Sequence, residues 1–159
     1  MDDEQTPLLI PAAIHDAMVA HCLREAPWEC CGLLTGIAPR VSAWHPLRND
    51  AESAASRYNA NPHDIIEVDR ECRRLGTEFL AIYHSHPRWA AIPSRTDLEQ
   101  NYYGPLPRII VSLLGPTPEV RIWRLEPDSY QELPWQIVPS PDAGSGSGAL
   151  AVEPPAPTG

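Results

Sequence analysis

The sequence predicts an α/β fold in which a mixed β-sheet is flanked by helices, and three observations carry that prediction. NPHDIIEVDRECRRLG, residues 61–76, has Asn61 to cap a helix, Pro62 for its first turn and Gly76 to end it. Ile65, Val68, Cys72 and Leu75 form one apolar stripe along it. EFLAIYH follows at once, bounded by Gly76 and Pro87. It is too short for a buried helix and apolar enough for a central strand. RIIVSLLG and VRIWRLE, separated by Pro-Thr-Pro, read as two further strands.

The remaining elements fall around these. After Pro11, Ile14, Ala17, Met18 and Cys22 recur at helical spacing, and Pro27 follows a charged Arg24-Glu25 end, which predicts a first helix over residues 11–25. CGLLTG is a short buried strand and VSAWHPLR a second, with residues 37–40 turning between them. SYQELPWQIV reads as one edge strand that tolerates Pro134. From Pro139 the chain turns to Gly, Ser, Pro and Ala with few bulky apolar residues. The expected organisation is therefore a single domain over residues 1–138 and a disordered tail over 139–159.

Composition excludes several functions. The formal charge of −9 and the lack of any lysine, all twelve basic residues being arginine, argue against nucleic-acid binding by phosphate neutralisation. A lysine-free chain also cannot accept a conjugate on a side-chain amine, which points to a processor of conjugates rather than a tagged target. The acidic start is unlike a signal peptide, and no apolar run approaches the roughly 20 residues that span a bilayer, so a cytoplasmic location with no membrane partner is expected. Cys22, Cys30, Cys31 and Cys72 lack CxxC spacing and read as reduced, packed thiols. Nothing in the chain indicates an oligomeric state.

Chemistry concentrates in HSHPRWAAIPSRTD, residues 84–97. On a strand, residues i and i+2 share a face with backbones roughly 6.6 Å apart, so His84 and His86 can converge on one ion while Ser85 points away. Ser94 to Asp97 is a helix-start signature, with Ser94 as cap and Asp97 in the first turn. Taken singly, each residue has an ordinary role as a strand end or a cap. Together they supply three N/O ligands and leave a fourth zinc position open. Such a site also needs a base, and Glu29, at the start of CGLLTG beside Trp28, is a candidate that neighbouring aromatic surface would desolvate, tuning its pKa.

The set Glu29, His84-Ser85-His86-Pro87, six residues, Ser94, two residues and Asp97 resembles the JAMM (MPN-plus) metalloprotease motif E…HxHP(x)6SxxD. ECCGLLTG, the 61–76 helix and EFLAIYHSHP resemble the same family in order and spacing, and the likeness covers about residues 8–126. The resemblance implies the MPN (cytidine-deaminase-like) fold, with a curved mixed sheet, two longer helices and a short third helix carrying Asp97. It implies one Zn2+ per chain on His84, His86 and Asp97, with Glu29 activating water and then protonating the leaving group. Ser94 would donate to the carbonyl oxygen as it becomes negative.

No large insertion follows Asp97, so the chain looks like the compact prokaryotic branch that acts after the C-terminal Gly-Gly of a ubiquitin-like sulfur-carrier protein. By the same resemblance Arg48, Asn49, Arg57 and Tyr58 would hold an extended substrate tail, although a solvated loop explains that segment equally well. Trp89, in the loop between the ligands, either contacts substrate or packs over the helix. His45 is a weak fourth-ligand candidate, and His15, His21 and His63 read as solvated helix residues. Two other classes compete. A non-enzymatic interaction module with a structural zinc has no need of Glu29 and Ser94. A deaminase-like metallohydrolase would be expected to carry HxE…PCxxC, which is absent.

Overall fold

The computed structural model describes residues 5–55 and 57–141. Its elements run β1 (Leu8–Pro11), α1 (Ala12–Glu25), β2 (Cys31–Ile37), β3 (Arg40–Leu47), α2 (Pro62–Leu75), β4 (Glu78–His86), α3 (Arg95–Glu99), β5 (Arg108–Ser112), β6 (Glu119–Leu125), β7 (Tyr130–Leu133) and β8 (Trp135–Val138). The predicted curved mixed sheet is present, with strand order β7-β6-β5-β4-β2-β3-β1-β8. β4 pairs antiparallel with β2 and parallel with β5, the place expected of EFLAIYH.

Two readings at the ends of the chain need correction. SYQELPWQIV is two strands, because Pro134 cannot donate to a ladder and the pairing changes partner there. β7 pairs with β6 and β8 with β1, so strands one residue apart lie at opposite ends of the sheet order. The sheet must therefore curl until its two edges meet at Pro134, whose carbonyl accepts from the Leu8 N–H at 3.1 Å. The second correction is β1, hidden in the sequence because four residues before a helix carry no period of their own. Ser140 still contributes to this region, its hydroxyl accepting the Ala13 N–H at 2.8 Å and capping α1, which has no side-chain cap of its own. The tail expected over 139–159 lies, beyond residue 141, outside the described residues.

Strand alternation sends side chains into two cores. Leu34, Trp44 and Tyr83 pack with Ile14, Met18 and Cys22 of α1, while Cys31, Leu33 and Ile82 pack with Val68 and Cys72 of α2. Leu75, at the end of the predicted stripe, is exposed instead. α2 is otherwise built as expected, with Asn61 accepting from Asp64 N and Gly76 in the left-handed conformation at φ 72°. His21 is a further correction: it is buried on the α1 face, with Nδ1 2.6 Å from the Tyr83 hydroxyl, which also accepts from Trp44 Nε1 at 2.7 Å. The helical period carries His21 beside Met18 and Cys22, and the Tyr83 hydroxyl makes its burial affordable.

Gly32 lies opposite Tyr83 in the β2–β4 ladder, and a Cβ there would overlap the tyrosine ring. The ring cannot swing aside without breaking its bonds to His21 and Trp44. Gly32→Ala is therefore expected to destabilise the fold by about 1–3 kcal/mol, the usual cost of overpacking, as measured by denaturant unfolding.

Candidate metal centre

β4 ends in the site. His84 is paired with Cys31 and Ile110, and His86 with Ser112, so both imidazoles leave one face of a strand held on both sides. Extending the Cys31–His84 register by two residues sets Glu29 opposite His86. The intervening step is visible in the Ser85 N–H donating to the Cys30 carbonyl at 3.0 Å and the Cys30 N–H donating to Ser85 Oγ at 3.0 Å. Glu29 thus shares the face of Cys31 and the histidines by simple alternation.

Asp97 arrives through a pinned loop. The carbonyls of Trp89, Ala90 and Ala91 accept in turn from Ser112 Oγ, His86 Nδ1 at 2.8 Å and Trp123 Nε1 at 2.9 Å. Ser94 then caps α3 in a full capping box. Its hydroxyl accepts from Asp97 N at 3.0 Å, and its N–H donates to Asp97 Oδ2 at 2.8 Å. The predicted cap is present, and it fixes the carboxylate that faces the histidines.

His84 Nε2 and His86 Nε2 lie 3.1 Å apart, with Asp97 Oδ1 3.2 Å from the first and Oδ2 3.2 Å from the second. With Nδ1–H given to Ala90, a neutral His86 turns its Nε2 lone pair toward His84 Nε2 and the Asp97 carboxylate, a convergence of ligand atoms that a cation would satisfy. A tetrahedral zinc at about 2.0–2.1 Å from each ligand would separate its ligand atoms by roughly 3.3 Å, so this donor set fits the ion. Among the described residues, no other group of three or more His, Cys, Asp or Glu side chains gathers in this way.

Electrostatics follow from burial and proximity. Burial holds the His84 imidazole below its ordinary pKa. Burial opposes charge on His86 as well, but its bonds to Asp97 and Ala90 prevail and raise it. Asp97 is pushed up by burial, yet the two imidazoles hold it far below the usual carboxylate range. Glu29, buried, is pushed up to about 8 by desolvation, with His86 opposing and Asp97 adding to the rise. Trp28, the neighbour expected to desolvate it, is itself 54% exposed, and the Glu29 N–H donates to the Ala54 carbonyl.

A pH dependence follows. A carboxyl whose pKa is raised from 4.5 to about 8 by folding favours the native state below pH 4.5, an advantage lost as pH rises through 8. Metal-free Glu29→Gln should therefore melt above the metal-free parent by a margin that opens between pH 5 and 8 and is flat beyond. A margin constant across that range would contradict the buried, proton-holding carboxyl.

The other candidates separate. Arg48 and Asn49 line a cleft of about 1130 Å3 together with Glu29 and Trp28. Arg48 is held bidentate by Asp64, with Nη2–Oδ1 at 2.8 Å and Nε–Oδ2 at 3.1 Å. Asn49 Nδ2 donates to the carbonyls of Glu29 at 2.9 Å and Arg57 at 3.0 Å, tying the loop to the Glu29 backbone. Arg57 is exposed, and Trp89 stands 60% exposed on the pinned loop. Tyr58 lies behind the site, stacked on His84 at 4.3 Å, its hydroxyl accepting from buried Arg108 Nη1 at 2.7 Å. Among the described residues His84 Nδ1 has no hydrogen-bond partner, so Tyr58 stacking and the Nε2 contact with Asp97 orient that ring. His45 is engaged elsewhere, Nε2 lying 2.9 Å from Thr35 Oγ1.

A family model described as prokaryotic homologs of the JAB domain matches residues 11–126. A probable TtuB-protein conjugate cleaving protease of Thermus thermophilus is 38% identical over 93 residues, 58% of this chain and 62% of that one. A CysO-cysteine peptidase of Mycobacterium tuberculosis is 32% identical over 134 residues, covering 82% of this chain and 91% of the relative. Among solved structures, the solution structure of a Desulfitobacterium hafniense protein superposes with a TM-score of 0.76 at 26% identity, over 83% of this chain and 93% of that one.

Proposed function

The chain belongs to the prokaryotic JAB family, and from that premise we propose that it is a zinc-dependent peptidase that cuts after the C-terminal Gly-Gly of a ubiquitin-like sulfur-carrier protein. The observation that carries the reading is the convergence of His84, His86 and Asp97 with a buried carboxyl set opposite His86 by strand register. Relatives named a probable TtuB-protein conjugate cleaving protease and a CysO-cysteine peptidase support the substrate class.

His84, His86 and Asp97 would hold the ion. When bound, zinc supplies Lewis-acid chemistry, acidifying water and polarising a carbonyl. Glu29 removes the proton from the attacking water and returns it to the leaving nitrogen. A carboxyl with its pKa raised toward neutrality exchanges a proton in both directions more readily than a solvated one. Ser94 Oγ, occupied as an acceptor by Asp97 N, keeps its own proton free to donate to a substrate carbonyl oxygen. Arg48 and Asn49 border the cleft beside Glu29 and contact the incoming tail, Trp89 meets it from the pinned loop, and Arg57 and Tyr58 serve by framing that wall.

The test uses a carrier protein ending in Gly-Gly, extended by a short peptide or by cysteine, with products followed by mass spectrometry. Cleavage directly after Gly-Gly is expected. Replacing the tail by Ala-Ala should reduce the rate below detection, because the proposed substrate presents a backbone without side chains at the scissile bond. Equal rates on the two tails would defeat this substrate class.

A further inference from the structure

We infer that Cys22 and Cys30 form a dithiol that hydroperoxides close to a disulfide, and that this bond withdraws the adjacent Glu29 from the site. The dithiol lies back to back with the metal centre. Alternation that turns Glu29 and Cys31 toward the histidines turns Cys30 toward α1, where its Sγ lies 3.6 Å from Cys22 Sγ. A disulfide needs about 2.05 Å, so the sulfurs must approach by roughly 1.5 Å. Cys22 sits in the last turns of α1, next to the 26–30 connection.

Cys30 has the surroundings of a reactive thiol. Cys22 hydrogen-bonds to it and His21 acts on it, so that its pKa falls to about 6 despite burial. His21 and Cys30 both line the cleft that holds Glu29, which gives a small oxidant a route. By contrast Cys31, on the opposite face, is pushed above the ordinary thiol range by burial. The sequence offered no histidine partner for Cys30; the fold supplies His21.

The chemistry balances with a hydroperoxide as oxidant. The Cys30 thiolate attacks one peroxide oxygen and the O–O bond breaks. The departing hydroxide of hydrogen peroxide, or the alkoxide of an organic hydroperoxide, takes up the thiol's proton, leaving Cys30 as a sulfenic acid and one water or alcohol. Cys22 sulfur then attacks Cys30 sulfur, the S–O bond breaks, and the oxygen leaves as water carrying the Cys22 proton. Two thiols lose two electrons and the peroxide gains them. Cys30 follows Glu29 directly, so drawing its side chain toward α1 strains its two bonds to Ser85, and release of the N–H bond, which belongs to the Glu29–Cys30 peptide, lets that peptide tilt. No cysteine belongs to the metal set, so the ion is retained.

The zinc-loaded full-length protein is treated with hydrogen peroxide, and its thiols are counted by N-ethylmaleimide labelling under denaturing conditions. The expected result is a fall from four labels to two, reversed by dithiothreitol, with a peptide link from Cys22 to Cys30. Trypsin separates the two cysteines at Arg24. Cys22→Ser should instead leave a dimedone-reactive sulfenic acid at Cys30. Four labels after treatment, a link through Cys31 or Cys72, or a loss that dithiothreitol does not reverse would each overturn the dithiol.

The effect on Glu29 rests on the function proposed above. Oxidised protein should keep its zinc and cleave at least tenfold more slowly, with Cys30→Ser insensitive to peroxide. An unchanged rate with the bond formed would overturn that coupling. Failure of the reduced protein to cleave any Gly-Gly carrier would count against the function alone, since label counts need no substrate.

Discussion

Glu29→Gln is expected to bind about one zinc per chain and to cleave about 10²–10⁴-fold more slowly than the parent, the range that positioned general acid–base groups contribute. Glutamine keeps the shape of the side chain and stays outside the three converging ligands, so metal content should not move. What it loses is the ability to take and return a proton. The loss should fall mainly on kcat, because a base acting on water contributes to the transition state more than to binding of the carrier tail. If the variant cleaves within threefold of the parent, the base lies elsewhere and the buried carboxyl has a structural role. If zinc is lost, Glu29 holds the ion.

The fold and site were legible to different depths, for physical reasons. α2 and β4 announce themselves because caps and period agree with burial. The convergence of His84, His86 and Asp97 is legible because strand alternation and a helix cap are local rules, which place these side chains without knowledge of the rest. Glu29 is only one acid among many until the β2–β4 register is known; then it falls opposite His86. What stayed hidden depends on long-range closure. Pro134 reads as an edge-strand blemish but marks the point where a curled sheet meets itself.

Arg108 opens an apolar strand and would pass for a solvated end, yet parallel pairing against Ile82 buries it with Tyr58 behind His84. The Ala90 carbonyl that orients His86 leaves no signature at all, since any residue carries one. Ser112 and Trp123, which pin the neighbouring carbonyls, sit on other strands, and only the folded sheet brings them to that loop.

His86→Ala and Asp97→Asn are expected to abolish both zinc and activity, and comparing them with Asp97→Ala separates metal binding from folding. Supporting hydrogen bonds around a metal ligand are typically worth about 10–100-fold in affinity, so loss of a direct ligand should exceed about 100-fold. Elemental mass spectrometry of desalted protein should then find well under one tenth of a zinc per chain. Asp97 has a second task, because its Oδ2 accepts the Ser94 N–H in the capping box. Asparagine retains an oxygen for that bond and gives up the negative charge, whereas alanine gives up both.

In metal-free form, Asp97→Ala should therefore unfold at a lower temperature than Asp97→Asn, by about the 1 kcal/mol typical of a lost cap, while the two are equally empty of zinc. Two properties that one residue joins would thus come apart. Should zinc persist in His86→Ala and in both Asp97 variants, the ion sits elsewhere and residues 84–97 are a well-capped strand-to-helix loop without a catalytic metal.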